Sequence, residues 1–156
     1  MDDKERISLL NELITKNYDA EKGYKEAAEK AYDPNLKRFM ENHVAQRYQF
    51  GHDLKGEIKA LDGEIDKGSS LASGAHRMWI NMKVPLSDNV DRSLAHECIR
   101  GEENALKDYQ EAREKIEFPL STNKILDDHI FKIKEAINSL EELMLTYQKK
   151  SAEENS

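Results

Sequence analysis

The sequence predicts an all-α protein, an up-down four-helix bundle built of two antiparallel hairpins joined by a long crossover. Three observations predict it. Breakers are scarce: only 7 Gly and 3 Pro occur among 156 residues, so long stretches run without interruption. Apolar residues recur at three- and four-residue spacing through four long segments. Two of the connections between those segments are very short, and the middle one, 62–88, is long.

The first segment runs from Asp3 to Ala31. Leu10, Ile14, Tyr24, Ala28 and Ala31 form the stripe that one buried helix face needs. Asp33-Pro34 then punctuates the chain, with Asp33 as an N-cap and Pro34 at the first helical position. The second helix extends to Leu61 on the stripe Leu36, Phe39, Met40, His43, Gln46, Phe50, Leu54, Ile58, Leu61. The third starts at Asn89-Val90-Asp91, carries Leu94, Ala95, Cys98, Ile99, Glu102, Leu106 and Tyr109, and stops near Phe118-Pro119. Ser121-Thr122-Asn123 supplies capping residues for the fourth. Its stripe is Leu126, His129, Ile130, Ile133, Ile137, Leu140, Met144, Tyr147. A single domain over 1–149 is expected, with 150–156 as a polar, fraying tail.

Helices of this length reach about 40 Å at ~1.5 Å per residue, which the middle segment can span. Inside it, Leu71, Ala75, Met78, Trp79 and Met82 fall at helical spacing. They predict a short amphipathic helix laid over the bundle as a lid. Its polar face, with His76, Arg77 and Lys83, also fits a membrane surface, but the stretch is short and the chain acidic.

Charge narrows the function classes. Against 24 basic residues stand 31 acidic ones, a net charge of −7, so binding to nucleic acid is not expected. No apolar run has transmembrane length and none follows Met1, so neither a membrane span nor a leader is expected. A lone cysteine, Cys98, suits a reducing, cytoplasmic setting. Phosphate-binding glycine loops, Gly-x-Ser-x-Gly and Cys-x-x-Cys are all missing.

The chemical signal is a polar residue on each inward stripe. Glu21 sits between Asn17 and Tyr24, and Glu102 between Cys98 and Leu106. The two hairpins echo each other there, Asn17–Lys22 against Cys98–Glu103. The second helix contributes His43, Gln46 and Gln49, the fourth His129. Buried carboxylates are costly to keep ionised. A metal ion can neutralise them, a shared proton can, or the groups can face a wet channel. Glu21, Glu102, His129 and Gln46 are the candidate ligands, and oxygen with imidazole suits iron, manganese or zinc, with iron or manganese the expected ion. Equally, Glu21 and Glu102 can hydrogen-bond to Tyr24, Tyr48, Tyr109, Gln46 or His129 in a dry layer that fixes register. His43 reads as a core or boundary histidine, His52, His76 and His96 as exposed, and Cys98 as a small buried apolar residue.

Several stretches carry a likeness as a set. They are Leu10–Ile14, Asp19–Tyr24, Asp33–Leu36, Ala45–Phe50, Ser73–Trp79 and Glu97–Glu103. Together they resemble a bacterial family of small ferritin-like proteins with a domain of unknown function, over about Ile7 to Leu145. The resemblance implies a ferritin-like bundle, dimeric or larger, and brings no known activity. The wider ferritin-like superfamily includes iron stores, rubrerythrins and di-iron oxidases. Glu21 and Glu102 match their ligands on the first and third helices. Their Glu-x-x-His positions fall on Gln46/Gln49 and His129/Lys132, where this sequence departs from the pattern.

Two readings result. One is a ferritin-like bundle with a degenerate, metal-capable centre that would support redox chemistry on iron or dioxygen. The other is a non-catalytic helical protein, of a stress-related kind, acting by self-association or through a protein partner without metal. Whether the chain is an enzyme stays open between them.

Overall fold

The computed structural model describes residues 2–66 and 89–154. Among these, the regular structure is four α-helices and no strand: α1 (Asp3–Lys30), α2 (Pro34–Ala60), α3 (Val90–Lys115) and α4 (Leu120–Glu154). The lid helix around Trp79 lies outside the described residues.

Local chemistry sets most helix ends. The Asp2 carboxylate accepts from Lys4 N at 3.1 Å, the Asp33 carboxylate from Asn35 N at 3.0 Å, and Asn89 Oδ1 from Arg92 N at 3.2 Å. Each satisfies an orphan amide of a first turn. Pro34 stands at the head of α2, where its missing N–H costs nothing. The fourth helix differs from expectation at both ends. It begins at Leu120, and the Ser121 and Thr122 hydroxyls donate across to Glu57 Oε1 at 3.0 and 2.8 Å instead of capping. It also continues to Glu154, into the stretch 150–156 expected to fray as a polar tail.

Each helix packs on two others, α1 on α2 and α3, and α4 on α3 and α2. The ties reveal direction. Asn17 meets Tyr109 and Tyr24 meets Glu102, so α1 and α3 are antiparallel. Asp53 meets His129 while Asp33 meets Tyr147, so α2 and α4 are antiparallel too. The helices α2 and α3 therefore run the same way on one diagonal. The chain leaves α2 beside the start of α1, where Asn11 holds Glu64 O and Asp66 N at 3.0 Å each. It enters α3 at the opposite end, where the Asp91 carboxylate accepts from Tyr32 N and Asp33 N.

The core has two apolar halves. One gathers Ala20, Tyr24, Leu36, Met40, Leu94 and Leu140. The other gathers Leu10, Leu13, Leu54, Ile58, Leu126 and Ile133. Burying each Leu or Ile contributes about 1.5–3 kcal/mol. Where the halves meet, the interior turns polar.

Candidate functional site: a buried ion pair and a histidine relay

Asn17, Arg47, Glu102 and His129 are all buried, Glu102 and His129 with no exposure. The centre of the layer is a pair. Arg47 Nη1 donates to Glu102 Oε1 and Arg47 Nη2 to Glu102 Oε2, a two-pronged match between planar groups. Tyr24 donates its hydroxyl to Glu102 Oε2 at 2.9 Å. The guanidinium carbon lies over two aromatic rings, 4.9 Å from the Phe50 centroid and 5.9 Å from that of Tyr24, within cation–π reach of both. Arg47 Nε reaches Gln46 Oε1 at 3.3 Å.

The electrostatics pull the pair in two directions. Burial raises the Glu102 carboxyl above its ordinary range, and Arg47 and the Tyr24 hydroxyl offset that only in part. Burial likewise opposes the charge on Arg47, but Glu102 first, then the tyrosines, outweigh it, and its guanidinium holds its proton more tightly than usual. With both oxygens matched to both guanidinium arms, we take the pair as ionised. The same burial pushes Tyr24 and Cys98 well above their ordinary ranges. Cys98 is thus an inert thiol at neutral pH.

A second chain of contacts runs beside the pair. Asn17 Nδ2 donates to Leu13 O at 2.9 Å and to the Tyr109 hydroxyl at 2.7 Å. The Tyr109 hydroxyl meets His129 Nδ1 at 2.8 Å, and His129 Nε2 meets Asp53 Oδ2 at 3.0 Å. Phe50 stacks on the imidazole with centroids 3.8 Å apart. Gln49 Nε2 holds the other Asp53 oxygen at 2.9 Å.

The four expected ligands do not converge as a metal centre would require. Glu102 and His129 do lie inside. Glu21 is only half-buried; partial burial raises its carboxyl, against Lys25 and Lys55. Ala20 takes the inward position between Asn17 and Tyr24. Gln46 is half-buried, and its oxygen faces Arg47. Among the described residues no group of three or more His, Cys, Asp or Glu side chains could hold a metal ion. Both Glu102 oxygens and both His129 nitrogens already have partners. The donor set therefore does not fit the iron or manganese centre that the ferritin-like resemblance implies.

Of the hydrogen bonds expected for Glu102, the one from Tyr24 is present. The decisive residue is one the sequence reading passed over. Arg47 continues Met40 and precedes Leu54 at seven-residue spacing, and all three are buried. Asp53 gave no signal, being partly exposed and outside the apolar stripe.

His43 was expected at the core boundary and lies there. Its ring stacks on Phe39 at 4.0 Å and its Nδ1 meets Phe39 O at 2.8 Å. Burial lowers its pKa to about 4, so it is neutral near pH 7. None of the described helices is long and apolar enough to cross a membrane.

The model of a family described as a domain of unknown function, DUF2383, covers residues 5–115. That range takes in α1 from residue 5 on, α2 and α3 with Arg47, Asp53, Glu102 and Tyr109, and stops short of His129. No curated protein and no solved structure matches. Since the match spans well over half of the sequence, the chain belongs to the DUF2383 family.

Proposed function

We propose that the chain is a non-catalytic helical scaffold of ferritin-like topology, acting through its surface by self-association or by binding a protein partner. In it, Arg47 supplies the positive charge that a metal ion supplies elsewhere. One observation carries this reading: the Glu102 carboxylate is matched on both oxygens by a buried guanidinium, with Tyr24 as a further donor. A metal ion at Glu102 would have to displace that guanidinium and strand its charge in the core, which is strongly unfavourable. The common direction of α2 and α3 on a diagonal supports the ferritin-like arrangement. Exposed Tyr18, Tyr48 and Phe131 offer aromatic contact area for a second copy, as a dimer, or for a partner. The buried thiol of Cys98 is compatible with a reducing cytoplasm.

Titrating the purified chain with ferrous and manganous ions in a calorimeter tests the reading, with sedimentation run alongside. The expected result is no stoichiometric heat from either ion, and a dimer that dissociates on dilution. One ion bound per chain in the wild type, with binding lost in Glu102→Gln, would reject the scaffold reading. A species that stays monomeric at every concentration would reject self-association.

A further inference from the structure

The relay Asp53–His129–Tyr109–Asn17 makes no hydrogen bond to the ion pair, yet it links three helices to α1. Its proton positions follow from the partners. A carboxylate can only accept, so His129 Nε2 carries the hydrogen toward Asp53 Oδ2 at 3.0 Å. His129 Nδ1 is then a bare acceptor for the Tyr109 hydroxyl at 2.8 Å. Tyr109 accepts in turn from Asn17 Nδ2, at 2.7 Å. Asn17 cannot turn its amide over without cost, because the same nitrogen donates to Leu13 O at 2.9 Å. Every donor points one way, and the chain is complete only while His129 is neutral.

We infer that His129 is a proton-operated latch on α4: one added proton reverses the polarity of Nδ1 and loosens α4 from α2 and α3. With Nδ1 protonated, two donors aim at the Tyr109 oxygen, and its hydroxyl hydrogen faces no acceptor among its described partners. The new charge sits on a ring with no exposure, flat against Phe50, and buried charge is costly. The charged groups around it act in both directions. From α2, Asp53 favours the proton and Arg47 opposes it; from α4 itself, Asp128 favours it. Asp128 is also tied to Lys132 at 3.1 Å. Tyr109, from α3, stays neutral, since burial pushes its hydroxyl up. Burial outweighs the two carboxylates and holds His129 below the ordinary histidine range. The latch is therefore shut near pH 7 and opens only as pH falls below the ordinary histidine range. This inference is independent of the scaffold reading, since it concerns how α4 is held and needs no partner.

The test is a pH series on the full chain that follows the His129 imidazole and the α4 amides together by NMR. After correction for intrinsic exchange rates, amides of 120–149 should lose at least tenfold of their protection as His129 titrates. His129→Gln, which can donate to Asp53 and accept from Tyr109 without titrating, should remove that acid-driven loss. Asp53→Asn should move the loss to lower pH, and it decides the matter if the glutamine variant does not fold. Protection of α4 that stays constant while His129 titrates would overturn the latch. So would an identical acid-driven loss in His129→Gln, or no shift in Asp53→Asn.

Discussion

Cutting Glu102 back to leucine isolates the ion pair. In Glu102→Leu the Arg47 guanidinium keeps its charge, has no exposure, and is left with Gln46 Oε1 at 3.3 Å as its hydrogen-bonding neighbour from the layer. Breaking a buried pair from one side costs about 3–5 kcal/mol. Tyr24 also loses its carboxylate acceptor, and a lost buried hydrogen bond adds about 1–3 kcal/mol. The single variant should therefore lose about 4–8 kcal/mol, a large part of a typical domain's stability. The triple variant Arg47→Met, Glu102→Leu, Tyr24→Phe removes the charge, its partner and the hydroxyl together. It should return to within about 1–2 kcal/mol of the wild type, or exceed it, because apolar replacement of a complete buried pair is often neutral or stabilising. Urea unfolding followed by helix ellipticity at matched slope measures each value. A single variant costing under about 1 kcal/mol, or a triple variant no better than the single, would refute the claim that the two charges hold each other.

Other outcomes follow from the same packing. Asp33 both caps α2 and accepts from the Tyr147 hydroxyl at 2.7 Å; Asp33→Ala should cost about 1–3 kcal/mol in urea unfolding and speed amide exchange near Tyr147. Leu54 has no exposure, so Leu54→Ala should cost about 2–5 kcal/mol in the same assay. A methyl group on Gly63 would lie 2.6 Å from Ile7 Cδ1 and 2.7 Å from its Cγ1. These are outer atoms of one flexible side chain, so Gly63→Ala should destabilise by only about 1 kcal/mol, and Ile7→Ala in the same chain should remove most of that cost, leaving Ile58 Cγ2 at 3.1 Å as the tight neighbour. His43 has its folded pKa depressed from 6.5 to about 4. Its neutral form is the one the fold accepts, so its contribution is full above pH 6.5 and is lost as pH falls toward about 4. That loss is on the order of 3 kcal/mol at about 1.4 kcal/mol per unit, and His43→Gln should flatten the stability curve over that window.

How much of this was legible in the sequence depended on whether the signal was local. Asp33-Pro34 and Asn89 mark helix starts with chemistry confined to a few residues, and α2 and α3 begin there, whereas α3 stops at Lys115, three residues before the expected Phe118-Pro119. The stripe of α3 was read in register, so Glu102 and Tyr109 were placed inside correctly. The apolar stripes of α1 and α2 are likewise in register at Leu10, Tyr24, Leu36, Met40, Phe50 and Leu54, and only one polar position on each differs by a residue. Glu21 was placed inward where Ala20 lies, and Gln46 where Arg47 lies. The reason is physical: alanine carries little periodic signal, and an arginine within a charged chain reads as solvated surface. Only a partner on another helix makes its burial affordable, and that partner, Glu102, is 55 positions away. Asp53 was illegible for the same reason, since nothing around it in sequence points to His129.

The most direct test is NMR of the pair itself at pH 7, reading the Glu102 side-chain carbon and the Arg47 side-chain nitrogens. A clamped ion pair requires an ionised carboxylate shift at Glu102 and separate, slowly exchanging Nη signals from an arginine that cannot rotate. A protonated carboxyl at Glu102, or a single averaged Nη signal from Arg47, would contradict the account.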